Sequence, residues 1–132
     1  MPDTHKDKLL GEAITHATEL LTMLGEFYPF GVVEYPNGEI AYYAAQDDTE
    51  QEIIDLLVGT FSILAKKGEI IGAAVVVSVT IKTDEMPTDC ILVQIVRTES
   101  EPTDYFAMYK MDGEKVTIVE VISNPGKRRI FS

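Results

Sequence analysis

Hydrophobic positions change their spacing repeatedly along the chain, and each change marks an element. From Thr4 to Leu24, the residues Leu9, Leu10, Ala13, Ile14, Ala17, Leu20, Leu21 and Leu24 recur at helical intervals, which predicts an amphipathic helix with a single apolar stripe. Asp3 or Thr4 suits its N-cap with Asp7 in the first turn, and Gly25 suits its C-terminal stop. Over Glu26 to Ala45 the period shifts towards two, with Phe27, Tyr28, Phe30, Val32, Val33 and Tyr35 ahead of Pro36-Asn37-Gly38 and Ile40, Tyr42, Tyr43 and Ala44 after it. A hairpin follows: Pro36 pre-sets one turn dihedral and Gly38 can adopt a left-handed one. Pro29 cannot donate a ladder hydrogen bond, so the first strand begins after it or runs along an edge.

Gln46-Asp47-Asp48-Thr49 opens a second helix, with Asp48 or Thr49 as N-cap and Glu52 spaced for a capping box. Its main stripe is Ile53, Ile54, Leu57, Val58, Phe61, Leu64 and Ala65, while Leu56 and Ile63 fall outside it and flank Gly59 and Thr60. Two apolar sides need two neighbours. The expected pair is the sheet and the first helix; the rival is a homodimer interface through Leu56, Gly59 and Ile63. Ile70 to Ile81 then runs without a charge and is dominated by β-branched residues, which predicts an interior strand. Its larger face is Ile71, Ala73, Val75, Val77, Val79 and Ile81; its smaller face is Ile70, Gly72, Ala74, Val76, Ser78 and Thr80.

A polar loop with Pro87 is expected over Lys82 to Asp89, a strand over Cys90 to Thr98, and an acidic loop over Glu99 to Pro102. Tyr105 to Met111 and Val116 to Ile122 read as strands joined by a turn at Asp112-Gly113, and a tail of turn residues and cations closes the sequence. The order is α-β-β-α-β-β-β-β in one domain, 1–132, of α+β class. Short connections predict a two-layer arrangement, with both helices on one face of a single, mainly antiparallel sheet of about six strands. That order resembles the profilin and roadblock type of domain, a likeness that implies shape and no particular function.

Charge sharpens the picture. Eleven Lys and Arg stand against 22 Asp and Glu, a formal net charge of −11. No Lys or Arg lies between Leu9 and Ala65, whereas Glu12, Glu19, Glu26, Glu34, Glu39, Asp47, Asp48, Glu50, Glu52 and Asp55 all do. Such a surface repels nucleic acid and anionic lipid and steers a basic protein towards itself. One cysteine, Cys90, excludes an internal disulfide, and neither a signal-peptide pattern nor an apolar run of membrane length is present. The expectation is a cytoplasmic protein of bacterial type.

Catalytic and cofactor signatures are missing. There is no phosphate-binding glycine motif, no EF-hand spacing, and no Trp to stack a sugar. His16 has Glu12 and Glu19 within reach along one helix flank, yet a zinc or di-iron site needs further ligands from a second element. No metal or cofactor is expected. Acids in the first turn of the second helix are explained by capping and the helix dipole.

Phe27-Tyr28-Pro29-Phe30-Gly31 is the densest aromatic stretch, and with the Gly-Glu turn and the Ile-Asp-Leu-Leu helix it resembles a group of small uncharacterised bacterial proteins. That resemblance implies no activity. The sequence therefore predicts a non-enzymatic binding protein, immunity-like or chaperone-like, that engages a basic protein through Tyr42, Tyr43, Asp47, Asp48 and Glu50. Two alternatives stand beside it: a small-molecule or weakly hydrolytic pocket between Phe27–Gly31 and the end of the sheet, and a homodimeric module without ligand.

Overall fold

The computed structural model describes residues 7–83, 86–98, 100–128 and 130. In chain order these form α1 (Lys8–Leu24), β1 (Phe30–Glu34), β2 (Ile40–Ala44), α2 (Glu50–Lys66), β3 (Gly72–Thr83), β4 (Met86–Arg97), β5 (Ser100–Asp112) and β6 (Lys115–Pro125). The strands make one antiparallel sheet in the order β2-β1-β3-β4-β5-β6. The α+β class, the element order and the antiparallel sheet are those the sequence predicts, and the Ile70–Ile81 run supplies β3, interior between β1 and β4.

Local chemistry explains most element ends. Gly25 terminates α1 in the left-handed region at φ 78°, and the Thr49 hydroxyl caps α2 by accepting from the N–H of Glu52 at 3.1 Å. The start of α1 differs from expectation. Its N-cap is Asp7, whose carboxylate accepts from the N–H groups of Leu9 and Leu10, while Asp3 and Thr4 lie outside the described residues. Asp7 makes the better cap because Arg97 also holds it: Arg97 Nη2 donates to Asp7 Oδ1 at 2.8 Å and Nη1 to Glu34 Oε1 at 3.0 Å. One guanidinium thus ties the start of α1 to the end of β1.

The placement of the helices corrects the sequence reading. Both were expected on one face of the sheet, but they lie on opposite faces. Leu9, Leu10, Ala13, Ala17 and Leu21 of α1 pack with Phe30, Val32, Ala74, Val76 and Val93, whereas Ile53, Leu57 and Phe61 of α2 pack with Val33, Ala73, Val75 and Val77. These two sets alternate along β1 and β3, so they project to opposite sides. The physical reason is that β1 and β3 are apolar on both faces, and one layer of helices would leave Val33, Val75 and Val77 in water. Gly31 permits the close approach of α2, since a Cβ there would lie 2.2 Å from the Phe61 ring.

The described residues of two expected loops are strand instead, while Asp84, Glu85 and Glu99 lie outside the described residues. Met86–Asp89 pairs with β3, including Pro87 opposite Lys82. The β4–β5 register begins only at Cys90 opposite Met108, so Pro87 stands where β4 has a free side and a missing donor is harmless. Ser100 to Pro102 likewise belong to β5. The basic tail folds back onto the sheet, where Arg128 donates to Gln94 Oε1 at 3.0 and 2.8 Å and Ile130 joins the α2-side core.

Candidate functional site

β2 is one edge of the sheet, with Glu12 of α1 bound to its Tyr42 and Glu39, Asp47 and Asp48 in the chain on either side of it. At the hairpin, Tyr35 N–H donates to Glu39 O at 2.9 Å and Gly38 N–H to Tyr35 O at 2.8 Å. Gly38 takes φ 89°. This turn fixes the phase of the ladder. Ala41 and Tyr43 exchange main-chain hydrogen bonds with Val33 and Gly31, opposite which they lie, and Ile40, Tyr42 and Ala44 turn their N–H and C=O groups outward. Among the described residues β2 pairs with β1 alone.

The two tyrosines predicted as partner-binding residues do not share a surface. Tyr42 is 45% exposed and stands on the α1 side, where its hydroxyl donates to the Glu12 carboxylate. Its ring lies 4.6 Å from that of His16, which meets Phe30 edge-on at 4.9 Å. Burial, then the hydrogen bond to Glu12, pushes the Tyr42 hydroxyl up to about 12. Tyr43 points the other way. Its ring sits edge-on to Phe61, and its hydroxyl is 3.2 Å from that of Tyr35, a contact that together with burial raises its pKa.

Asp47, Asp48 and Glu50 are exposed where β2 passes into α2. Asp48 N–H donates to Asp47 Oδ1 at 2.7 Å. The neighbouring carboxylates of Asp47 and Glu52 act on each other, which lowers Asp47 and raises Glu52 from their ordinary values. Among the described residues, Arg97 makes the ion pairs, and of the acids between Leu9 and Ala65 it reaches Glu34. The remaining acids there have no Lys or Arg within ion-pair distance among the described residues.

Beside the Ala44 end of β2, the C-terminal half of α1 overhangs the hairpin and leaves a half-open cleft of about 540 Å³. Leu20, Leu24, Phe27, Tyr28 and Phe30 form its apolar walls, with His16, Glu26 and Gln46 at its polar margin. Sequence reasoning placed a possible pocket at Phe27–Gly31 but missed Leu20 and Leu24. Their position at the C-terminal end of the α1 stripe, on either side of Leu21, the last buried residue of the helix, was the available signal. Among the described residues its lining contains no Ser, Thr, Cys or Lys. A second hollow, of about 640 Å³, lies between Met86–Asp89 and Tyr109–Met111, with Asp89 and Lys110 in its lining.

On α2, Leu56 and Ile63 are 47% and 57% exposed, with exposed Gly59 between them. The expected contact of this second stripe with α1 does not form, because α1 occupies the opposite face of the sheet. Cys90 is buried and its thiol is pushed up by desolvation, away from reactive thiolate. Among the described residues no three His, Cys, Asp or Glu side chains converge as metal ligands. No helix among them is long and apolar enough to cross a membrane. No family model, curated protein or solved structure matches the chain.

Proposed function

We propose that the protein is a non-enzymatic binding protein that captures a basic protein partner at the β2 end of its sheet, in the manner of an immunity protein or a secretion chaperone. The observation that carries this reading is unneutralised acidity on both sides of β2: Glu12, Glu19, Glu39, Asp47, Asp48 and Glu50 have no cationic ion-pair partner among the described residues. Carboxylates left without counter-charge raise the local concentration of a cationic partner. Tyr42, Tyr28 and the cleft supply the apolar contact that affinity needs. On this reading the protein works in the cytoplasm, where Cys90 remains a reduced, buried side chain.

The test is capture from the host lysate on immobilised wild-type protein and on the Asp47→Asn, Asp48→Asn, Glu50→Gln variant. Retention of a protein of positive net charge by wild type and its loss from the variant are expected. Equal retention on both would refute the reading.

A second reading has its own observation. Leu56, Gly59 and Ile63 form an exposed stripe along α2, which suits a homodimer packed helix to helix.

A further inference from the structure

We propose that β2 is a strand-addition site: an extended, basic segment of the partner pairs with the outward main chain of β2 and places one large apolar side chain in the neighbouring cleft. This rests on the reading of the acidic face as a partner site and names the form the partner takes there.

The state of the two sheet edges is the first ground. Natural edges are blunted by charge, proline or a bulge, because an open row of N–H and C=O groups recruits another strand. Edge β6 carries such protection, with a register shift opposite Met108/Tyr109, Glu120 within it and Pro125 at its end. Edge β2 carries none: it reads Ile-Ala-Tyr-Tyr-Ala in unbroken register with β1. Its only protection is brevity, and the outward groups of Ile40, Tyr42 and Ala44 suffice to pair with a short segment.

Side-chain phase is the second. A strand added beside β2 would place every second side chain on the α1 face, alongside Ile40, Tyr42 and Ala44. The side chain opposite Ala44 would then face the cleft between Leu20, Leu24 and Tyr28, which Ala44 itself lines. An apolar residue of Leu or Phe size matches that cleft; two residues along, the side chain opposite Tyr42 lies beside Glu12, to which Tyr42 donates.

Charge chooses between occupants. A second copy of this chain paired antiparallel about Tyr42 would bring Glu39 of one molecule towards Asp47 of the other and oppose two chains of net charge −11 each. A segment rich in Lys or Arg meets the same residues with attraction.

The probes are synthetic octapeptides alternating Arg or Lys with Val and Thr around one central Phe, and the same peptides N-methylated at alternate amides, titrated into the full-length ¹⁵N-labelled protein. Saturable shifts at the amides of Ile40, Tyr42 and Ala44 are expected, and methylation of one alternate set of peptide amides should abolish them while the other set is tolerated. Ala44→Pro removes an outward N–H and spares the Ala41 and Tyr43 ladder, so it should weaken binding by about tenfold, whereas Ala44→Ser should not. Binding that depends on Asp47, Asp48 and Glu50 but ignores both methylation and Ala44→Pro would overturn strand addition and leave the acidic-face reading standing. Failure of every peptide to bind, or a wild-type dimer joined through β2, would also overturn it.

Discussion

Gly31→Ala tests the packing on which the site depends. The added methyl would sit 2.2 Å from Phe61 Cζ and 2.6 Å from Cε2, about 1 Å inside ordinary carbon contact, which is about 3.5 Å. Phe61 cannot swing into water. It is fully buried, edge-on to Tyr43 and enclosed with Val33, Ile53 and Leu57. Overpacking of this kind costs about 1–3 kcal/mol, and loss of glycine freedom in the unfolded chain returns about 0.5–1 kcal/mol. The net is roughly 1.5 kcal/mol of destabilisation, a fall in Tm of about 6 °C for a domain of this size. Phe61→Leu shortens the ring and should absorb the methyl, so the double variant should be more stable than the sum of the single changes by about 1 kcal/mol. Thermal and urea unfolding of the four proteins gives the coupling. A neutral Gly31→Ala with no coupling would show that α2 does not press on β1 from the face opposite α1.

Arg97→Met should cost about 1–2 kcal/mol in urea unfolding, since it leaves the half-buried Asp7 and Glu34 carboxylates without their shared cation; Asp7→Asn, which keeps the cap, should cost less than Asp7→Ala. If the α2 stripe is a dimer interface, Leu56→Glu with Ile63→Glu should turn dimers into monomers of unchanged circular dichroism, and a monomeric wild type by light scattering would refute that interface. Because the fold raises Tyr42 to about 12, the folded state holds its proton where the unfolded chain releases it, so this group's contribution to stability is intact below about pH 10 and is lost as pH rises towards 12. Ultraviolet titration of Tyr42→Phe should lack one of the late-ionising components of the wild type, those of Tyr43, Tyr105 and Tyr109, which the fold also raises, remaining.

The parts of the fold that local chemistry encodes were legible in the sequence. Gly25, the Pro36-Asn37-Gly38 turn, the Thr49 cap and Gly113 each act within a few residues, and they set the element order. What tertiary contact decides was not. The side of the sheet that each helix takes depends on β1 and β3 being apolar on both faces, and Arg97 joins residues 90 and 63 positions away. The separation of Tyr42 from Tyr43 was legible, because adjacent residues of a strand must point to opposite faces; grouping them as one patch ignored it. Leu56 and Ile63 were recognised as a second apolar side, but sequence alone does not distinguish a buried neighbour from water. The edge position of β2 followed from the sheet order, which no local signal carries.

The most direct test of the acidic face is the association rate of the captured partner as a function of ionic strength. Screening shortens to about 8 Å at physiological salt, so the account predicts an on-rate that falls by about tenfold or more between low and physiological salt. It further predicts that Asp47→Asn, Asp48→Asn, Glu50→Gln lowers the on-rate while leaving the off-rate and the melting temperature nearly unchanged. An on-rate indifferent to both salt and the triple substitution would contradict the account.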